Sequence, residues 1–184
     1  MDKNSIRRKY LQKRLEISRK EILRKSGKIA KNFLNLPEIL QKNNISCYLP
    51  IKNEVETKII IEQLIKNGVN IFLPSFSAER NEYFFAGFCG WEGLEKGPYG
   101  VLQPTDVEKV DPKVIEVAIL PGVAFSKDGV RLGYGKGVFD RLLAGSPALK
   151  IGLAYDFQII DAIPKERHDL VMDIIVCKKK TFRL

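Results

Sequence analysis

The sequence predicts an α/β fold: a single-domain three-layer sandwich around a mainly parallel sheet, with N-terminal helices. Short apolar strand patterns alternate with helical patterns along the chain, which is typical of a parallel sheet. Of the 184 residues, 45% are hydrophobic and 29% are charged, as is ordinary for a globular protein. Because no repeat, linker or low-complexity segment interrupts the pattern, we expect residues 1–184 to form one domain.

The first half of the chain begins with two helical patterns. The first covers residues 5–16, where helical spacing puts Ile6, Tyr10, Leu11 and Leu15 on one apolar face. The second follows the capping-box pair Ser18 and Glu21 and ends before Pro37, and its apolar side is Ile22, Leu23, Ile29, Ala30, Phe33 and Leu34. A strand, a helix and two strands are predicted next, at residues 45–49, 56–68, 69–74 and 82–88. The segment that follows, residues 91–104, is rich in Gly and Pro and predicts a structured loop.

The second half of the chain contains a long apolar segment, residues 114–126, which predicts a central buried strand. A glycine-rich stretch follows directly, and then a helix that ends at Gly145. Two more strands, at residues 150–156 and 172–177, enclose a short helix predicted at residues 157–164. Since ligands of open α/β sheets bind at the carboxyl ends of the strands, the glycine-rich stretch lies where a site is expected.

The net charge of +9 indicates anionic partners, and nucleic acid, a membrane surface and phosphorylated small molecules all fit it. No apolar run is long enough to span a bilayer and no signal-peptide pattern occurs, so we expect a cytoplasmic protein without a membrane partner.

Cys47, Cys89 and Cys177 are far apart, which argues against a disulfide framework or a zinc site, and each is expected to be buried.

The stretch RLGYGKGVFDR, residues 131–141, combines three glycines with a lysine, an aspartate and two arginines. Glycines before a helix leave backbone N–H groups accessible to phosphate oxygens, and the helix N-terminus adds partial positive charge. The spacing matches neither a P-loop, which needs Ser or Thr directly after the Gly-Lys pair, where Gly137 stands, nor the dinucleotide fingerprint. From these general motifs, an anion-binding loop and a tight turn with incidental charges both remain open.

The longer string LPGVAFSKDGVRLGYGKGVFDR, residues 120–141, resembles the signature of the 5-formyltetrahydrofolate cyclo-ligase family, also called methenyltetrahydrofolate synthetases. Four further matches occur in the family's order, so the resemblance covers nearly the whole chain. They are the pair Lys3 and Arg7 and the segments 48–57, 97–104 and 167–176.

The chain departs from the family pattern at four positions. Gln103 stands where the family usually has Glu, Val138 and Phe139 replace Tyr-Tyr, and Ser126 replaces a common Asp. These departures argue against an essential charge at position 103 and against a catalytic tyrosine at position 138 or 139.

The resemblance implies ATP- and Mg²⁺-dependent conversion of 5-formyltetrahydrofolate to 5,10-methenyltetrahydrofolate. ATP would phosphorylate the formyl oxygen, the second folate nitrogen would attack the activated carbon, and phosphate would leave as the ring closes. Because phosphoryl transfer depends on positioning and charge stabilisation, Lys136 and Arg131 are the expected catalytic residues.

The resemblance also implies which residues bind the substrates and the metal. ATP would be bound by Lys3, Arg7, Arg131, Leu132, Gly133, Tyr134, Gly135, Lys136, Gly137, Val138 and Phe139. The folate would be bound by Leu49, Glu54, Tyr134, Gly135, Lys136, Gly137 and Val138. Asp140 and Asp173 are the expected Mg²⁺ ligands. We expect a monomer whose positive charge serves ATP and polyglutamylated folate rather than nucleic acid.

Several side chains keep two interpretations at this point. Tyr83, Phe84, Trp91 and Tyr134 fit both stacking on the folate ring and packing in the core. His168, the single histidine, is a candidate phosphate contact without a catalytic role, and Asp169 is expected to orient local backbone.

Two other functions also stay open: a nucleic-acid-binding module, and another nucleotide or sugar-phosphate enzyme of the same fold.

Overall fold

A computed structural model describes residues 1–105, 108–166 and 169–184. Its helices are α1 (Lys3–Leu15), α2 (Arg19–Leu34), α3 (Lys58–Lys66) and α4 (Val138–Leu142). Its strands are β1 (Asn44–Ser46), β2 (Asn70–Ser77), β3 (Glu82–Gly87), β4 (Leu94–Lys96), β5 (Leu102–Pro104), β6 (Val117–Leu120), β7 (Ala124–Ser126), β8 (Arg131–Leu132), β9 (Leu149–Leu153), β10 (Ile159–Ile160), β11 (Ile174–Val176) and β12 (Thr181–Arg183).

The main sheet has seven strands in the order β12-β11-β9-β6-β1-β2-β3. The five inner strands are parallel, and the two edge strands, β12 and β3, are antiparallel to their neighbours. The predicted α/β fold with a mainly parallel sheet flanked by helices is therefore confirmed. In the described part of the chain, none of the helices has the length and apolar content needed to cross a membrane.

Two hydrophobic clusters cover the two faces of this sheet. In β6, Val117 and Ile119 pack in the cluster that contains α2 and α3, whereas Ala118 and Leu120 pack in the other cluster, which contains part of α4. Successive side chains of a strand point to opposite faces, so the fully apolar β6 is buried on both sides.

The apolar segment 114–126 is two strands rather than the predicted single one. It breaks at Pro121 and Gly122, and β7 then pairs with β8 and β10 in a separate three-stranded sheet. A side chain at Gly122 would lie 2.5 Å from the ring of Phe125, so the chain turns here through a point of close approach. The break moves the chain out of the main sheet just before the glycine-rich stretch.

Other predicted boundaries also differ from the observed ones. Strand β2 continues through Pro74, because its pairing with β1 ends at Phe72 and β3 is the strand that pairs with it beyond that point. The helix predicted at residues 157–164 is a short 3₁₀ turn, Asp156–Gln158, followed by β10. The loop predicted at residues 91–104 contains two 3₁₀ turns and the β4–β5 ribbon.

The apolar face of α1 differs from its prediction in one important way. Leu15, expected on the buried face, is 56% exposed, whereas the neighbouring Arg14 is only 1% exposed. In α2, Ser18 accepts the N–H of Glu21 as predicted, but Leu23 is half exposed.

The expectation of three buried cysteines fails at Cys89, which is exposed.

Candidate active site

A cavity of about 1270 Å³ lies at the carboxyl side of the parallel strands. It is lined by the segment that follows β1, from Tyr48 to Glu54, and by Pro121, which follows β6. The strand order reverses between β1 and β6, since the chain adds β2 on one side of β1 and β6 on the other. Such a reversal is the place where open α/β sheets bind ligands.

The cavity brings together every predicted site residue except Asp173. Its lining includes Lys3, Arg7, Leu49, Glu54, Arg131, Leu132, Gly133, Tyr134, Gly135, Lys136, Gly137, Val138, Phe139 and Asp140. Of the aromatic side chains considered for stacking on a ring, Tyr83 and Tyr134 line it, whereas Phe84 and Trp91 do not. His168 falls outside the described residues.

Asp173 lies away from this cavity, contrary to its expected pairing with Asp140. Its carboxylate accepts the backbone N–H of Lys150 at 2.7 Å, at the amino end of β9. Asp173 precedes β11, and β11 is parallel to β9, so it lies at the amino edge of the sheet. The cavity lies at the opposite edge, which explains why the two aspartates are apart.

The glycine loop, residues 133–137, crosses the cavity between β8 and α4. Gly135 and Gly137 have φ of 91° and 61°, which favour glycine. The backbone N–H groups of Gly133, Tyr134, Gly135 and Gly137 donate no hydrogen bond within the described residues. The loop thus presents donors suited to an anion, although α4 is only five residues long and adds less helix-dipole charge than the longer predicted helix.

Arg7 supports the loop from α1. Its Nε donates to the carbonyl oxygen of Gly133 at 3.0 Å, and a side chain at Gly135 would lie 3.4 Å from its guanidinium carbon. At Gly133 a side chain would lie 2.9 Å from Nη1 of Arg131. The glycines therefore let the backbone pass closely between two arginines.

Given the ATP-binding role that the family resemblance implies for this loop, we expect Gly135→Ala to raise the KM for ATP by about tenfold, because a Cβ in the left-handed region costs about 1–2 kcal/mol and shifts the loop. Steady-state rates against ATP concentration measure this. Gly68→Ala is the matched control, since Gly68 has φ of 80°, has open space around its Cβ position and follows α3 outside the cavity. Equal effects of the two variants on KM would contradict a role of the loop in ATP binding.

Arg131 and Asp140 form an ion pair beneath the loop. Nη2 of Arg131 donates to both carboxylate oxygens of Asp140 at 3.0 and 2.9 Å, and Nη1 donates to the carbonyl oxygen of Pro121 at 3.2 Å. Asp140 also accepts the N–H of Leu170 at 3.3 Å. Arg131 is 6% exposed, so the pair holds a cation in one orientation below the loop.

Lys3 lies at another part of the cavity wall, between two acidic side chains. Its ammonium is 2.7 Å from Asp169 and 3.1 Å from Glu166. Burial lowers the pKa of Lys3, but the hydrogen bonds from its ammonium to these carboxylates outweigh burial and raise the pKa overall. Asp169 also accepts the N–H of Glu166 at 2.6 Å, so it orients local backbone as predicted.

Glu54 is a buried carboxylate in the cavity wall and is 4% exposed. Burial raises its pKa, and the strongest opposing influence is the positive charge of Arg14, whose Nη1 lies 3.8 Å away. Oε2 accepts the N–H of Ile51 at 3.0 Å. Burial and the Glu54 carboxylate raise the pKa of the Tyr134 hydroxyl, which keeps that hydroxyl protonated as a donor.

Arg14 is a site-supporting residue that the sequence analysis missed. At 100° per residue, Arg14 lies within 20° of Lys3 on a helical wheel, and Arg7 lies within 40°. A cation on that same helix face was the available signal. The apolar spacing that ends at the adjacent Leu15 hides this signal, because it places Arg14 outside the predicted buried face.

The four departures from the family pattern have structural roles here. Gln103 is buried and binds the backbone N–H and C=O of Phe76 and the side chain of Glu95, so its amide joins β2 to the β4–β5 ribbon. Ser126 accepts the N–H of Val130 at 3.0 Å. Val138 and Phe139 pack against the hydrophobic clusters.

Comparison with known proteins identifies the family. The family model described as the 5-formyltetrahydrofolate cyclo-ligase family matches residues 1–178. A 5-formyltetrahydrofolate cyclo-ligase from Mus musculus is 28% identical over 187 residues, covering 95% of this chain and 92% of that protein. One from Haemophilus influenzae is 31% identical over 155 residues, covering 80% of this chain and 83% of that protein.

Solved structures agree with this match. The 5,10-methenyltetrahydrofolate synthetase of Aquifex aeolicus is 35% identical with a TM-score of 0.88, covering 100% of this chain and 93% of that chain. The one from Mycoplasma pneumoniae is 30% identical with a TM-score of 0.76, covering 97% of this chain and 99% of that chain. The chain therefore belongs to the 5-formyltetrahydrofolate cyclo-ligase family, ligases of folate metabolism that form 5,10-methenyltetrahydrofolate.

Proposed function

We propose that the cavity binds ATP along the glycine loop and 5-formyltetrahydrofolate beside Leu49 and Glu54. The observation that supports this best is that the glycine loop, Lys136 and Glu54 line one cavity, so a phosphate and a folate ring would meet there. ATP is the co-substrate of the family. The apolar Leu49 and the aromatic ring of Tyr83 suit the folate ring, and the carboxylate of Glu54 suits the N–H groups at its edge.

In the proposed reaction, the formyl oxygen attacks the γ-phosphorus of ATP and ADP leaves. This step converts a poor leaving group into a phosphate ester. The second folate nitrogen then attacks the formyl carbon and loses its proton, the carbon–oxygen bond breaks, and inorganic phosphate leaves as the C–N bond closes the ring. Lys136 and Arg131 stabilise the negative charge of the transferring phosphoryl group, Lys136 from the loop and Arg131 from below it.

Mg²⁺ fits this cavity as an ion that arrives with ATP. Among the described residues, no group of three or more His, Cys, Asp and Glu side chains is arranged to hold a metal. Mg²⁺ bound to a nucleotide needs only one or two carboxylates, because phosphates and water supply its other ligands. Asp140 is the carboxylate next to the loop and would serve as that ligand, and bound Mg²⁺ would offset phosphate charge. The position of Asp173 at the other edge of the sheet gives it no part in this proposal.

The positive charge of the chain fits two polyanionic substrates. Four basic side chains line the cavity besides Lys136 and Arg131: Lys3, Arg7, Lys52 and Arg141. They suit the phosphates of ATP and the glutamate tail of a polyglutamylated folate. We expect the protein to act as a cytoplasmic monomer and to bind no nucleic acid.

The assignment is tested by adding 5-formyltetrahydrofolate to the purified protein with ATP and Mg²⁺. We expect the absorbance of the methenyl-folate chromophore to grow, and to stay flat when ATP or Mg²⁺ is left out. Folded protein that shows no growth would overturn the proposal. Filter binding of an oligonucleotide at moderate salt is the control: tight binding there, without binding of ATP or folate, would favour a nucleic-acid-binding module.

A further inference from the structure

Arg14 is a fully buried cation that does not itself line the cavity. It lies in the last turn of α1 and is 1% exposed. A buried charge is strongly unfavourable unless hydrogen bonds and a counter-charge compensate for the lost water. The groups that contact the Arg14 side chain must therefore compensate for its buried charge, and they indicate its structural role.

The guanidinium of Arg14 joins three separate segments of the cavity wall. Nε donates to the carbonyl oxygen of Lys52 at 2.9 Å, in the segment after β1, and Nη1 donates to that of Gly122 at 3.0 Å, at the break after β6. Nη2 donates to the hydroxyl oxygen of Tyr134 in the glycine loop. The same group faces the carboxylate of Glu54 at 3.8 Å.

Two cations lie against the ring of Tyr134 in this arrangement. The guanidinium carbon of Arg14 lies 5.4 Å from the centre of the Tyr134 ring, and Nζ of Lys52 lies 5.4 Å from it as well. Cations at such distances attract the face of an aromatic ring. The ring of Tyr134 is thereby fixed relative to the segment that carries Glu54.

We propose that Arg14 is a positioning residue that fixes the positions of Glu54 and Tyr134 relative to each other. It thereby couples the folate side of the cavity to the glycine loop. This inference rests on the proposed function, in which Glu54 contacts the folate and the loop contacts ATP. The planar guanidinium suits the task because its donors point in fixed directions to three acceptors at once. A lysine ammonium would keep the charge but would not reproduce this geometry.

The charge of Arg14 has a second effect, on the ionisation of Glu54. The other titratable groups that act on or face this carboxylate are Arg131, Tyr48, Tyr134 and Tyr155. Arg14 opposes the effect of burial more strongly than any of them. Its removal is therefore expected to raise the pKa of Glu54 further, so that the carboxylate forms only at higher pH.

The experiment compares Arg14→Lys, Arg14→Gln and the control Arg8→Gln, which changes an exposed arginine on the same helix. We expect both Arg14 variants to raise the KM for 5-formyltetrahydrofolate by about tenfold at saturating ATP. The acid limb of kcat/KM for the folate should move to higher pH in Arg14→Gln and stay near its original position in Arg14→Lys. Arg8→Gln should change neither quantity, and urea unfolding verifies that each variant is folded.

Tyr134→Phe tests the same contact if the Arg14 variants do not fold, because it removes only the hydroxyl that Nη2 of Arg14 contacts. We expect it to raise the folate KM, and we expect its effect and that of Arg14→Lys to be non-additive. An unchanged folate KM in Tyr134→Phe or in folded Arg14→Lys, or additive effects of the two, would overturn the inference.

Glu54→Gln separates this inference from the proposed function. If Glu54→Gln leaves the folate KM unchanged, the assignment of the folate site itself fails. If Glu54→Gln raises the folate KM while the Arg14 variants do not, only the positioning role of Arg14 fails.

Discussion

Lys136→Ala is expected to lower kcat by about 10²-fold or more, while the protein keeps its fold. Lys136 is an exposed residue of the glycine loop and lines the cavity, so its removal should cost little packing. In the proposed reaction its ammonium stabilises charge that develops on the phosphoryl group as it transfers. Such a contact affects the transition state more than substrate binding, so kcat should fall more than KM rises.

The matched control for this variant is Lys127→Ala. Lys127 is also an exposed lysine, but it pairs with the exposed Asp161 and does not line the cavity. Initial rates of methenyl-folate formation over a range of ATP concentrations measure both variants. Near-normal turnover of Lys136→Ala would remove this lysine from the chemistry, whereas a loss of turnover in Lys127→Ala as well would point to a non-specific charge effect.

Asp140→Ala is expected to lower both turnover and stability. Turnover should fall by about 10²-fold or more, because Arg131 loses the carboxylate that orients it and the proposed Mg²⁺ loses its protein ligand. Removing one partner of a buried ion pair costs about 3–5 kcal/mol. Since the Asp140 side chain is 19% exposed, we expect the lower end, about 3 kcal/mol, in the free energy of unfolding.

Urea unfolding and initial rates over a Mg²⁺ series test this expectation. Glu38→Gln is the control, because its ion pair with Arg183 is solvent-exposed and should contribute little to the free energy of unfolding. If Asp140 binds Mg²⁺, the variant should also need more Mg²⁺ for half-maximal rate. If Asp140→Ala changed neither the free energy of unfolding nor the turnover, the ion pair between Arg131 and Asp140 would have no role in stability or catalysis.

The types and order of most elements could be predicted from the sequence, because period-two and helical patterns directly reflect burial on one face or two. The errors occur where tertiary context decides. The break at Pro121 and Gly122 lies inside an almost continuous apolar run, and apolarity alone does not distinguish one strand from two that belong to different sheets. Pro74 is tolerated in β2 because the neighbouring strand has already ended there.

The candidate site was predictable in its composition and much less in its internal contacts. The glycine loop, Lys3, Arg7 and Glu54 carry a family signature that can be read along the chain, and the cavity brings them together. The two predicted Mg²⁺ ligands, in contrast, do not lie together in the structure. Asp140 and Asp173 looked equivalent as acidic residues, but one follows the loop at the carboxyl edge and the other precedes β11 at the amino edge.

By itself the sequence determined the fold class, the family and the location of a flexible, charged loop after a buried strand. Those features depend on local composition and residue spacing, which are present in each segment before any tertiary contact forms. Only the tertiary structure decided that Arg131 pairs with Asp140 and that Arg14 is buried between Glu54 and Tyr134. Partners such as Arg14 and Tyr134 are 120 residues apart, and a contact over that separation exists only after the sheet has brought the segments together.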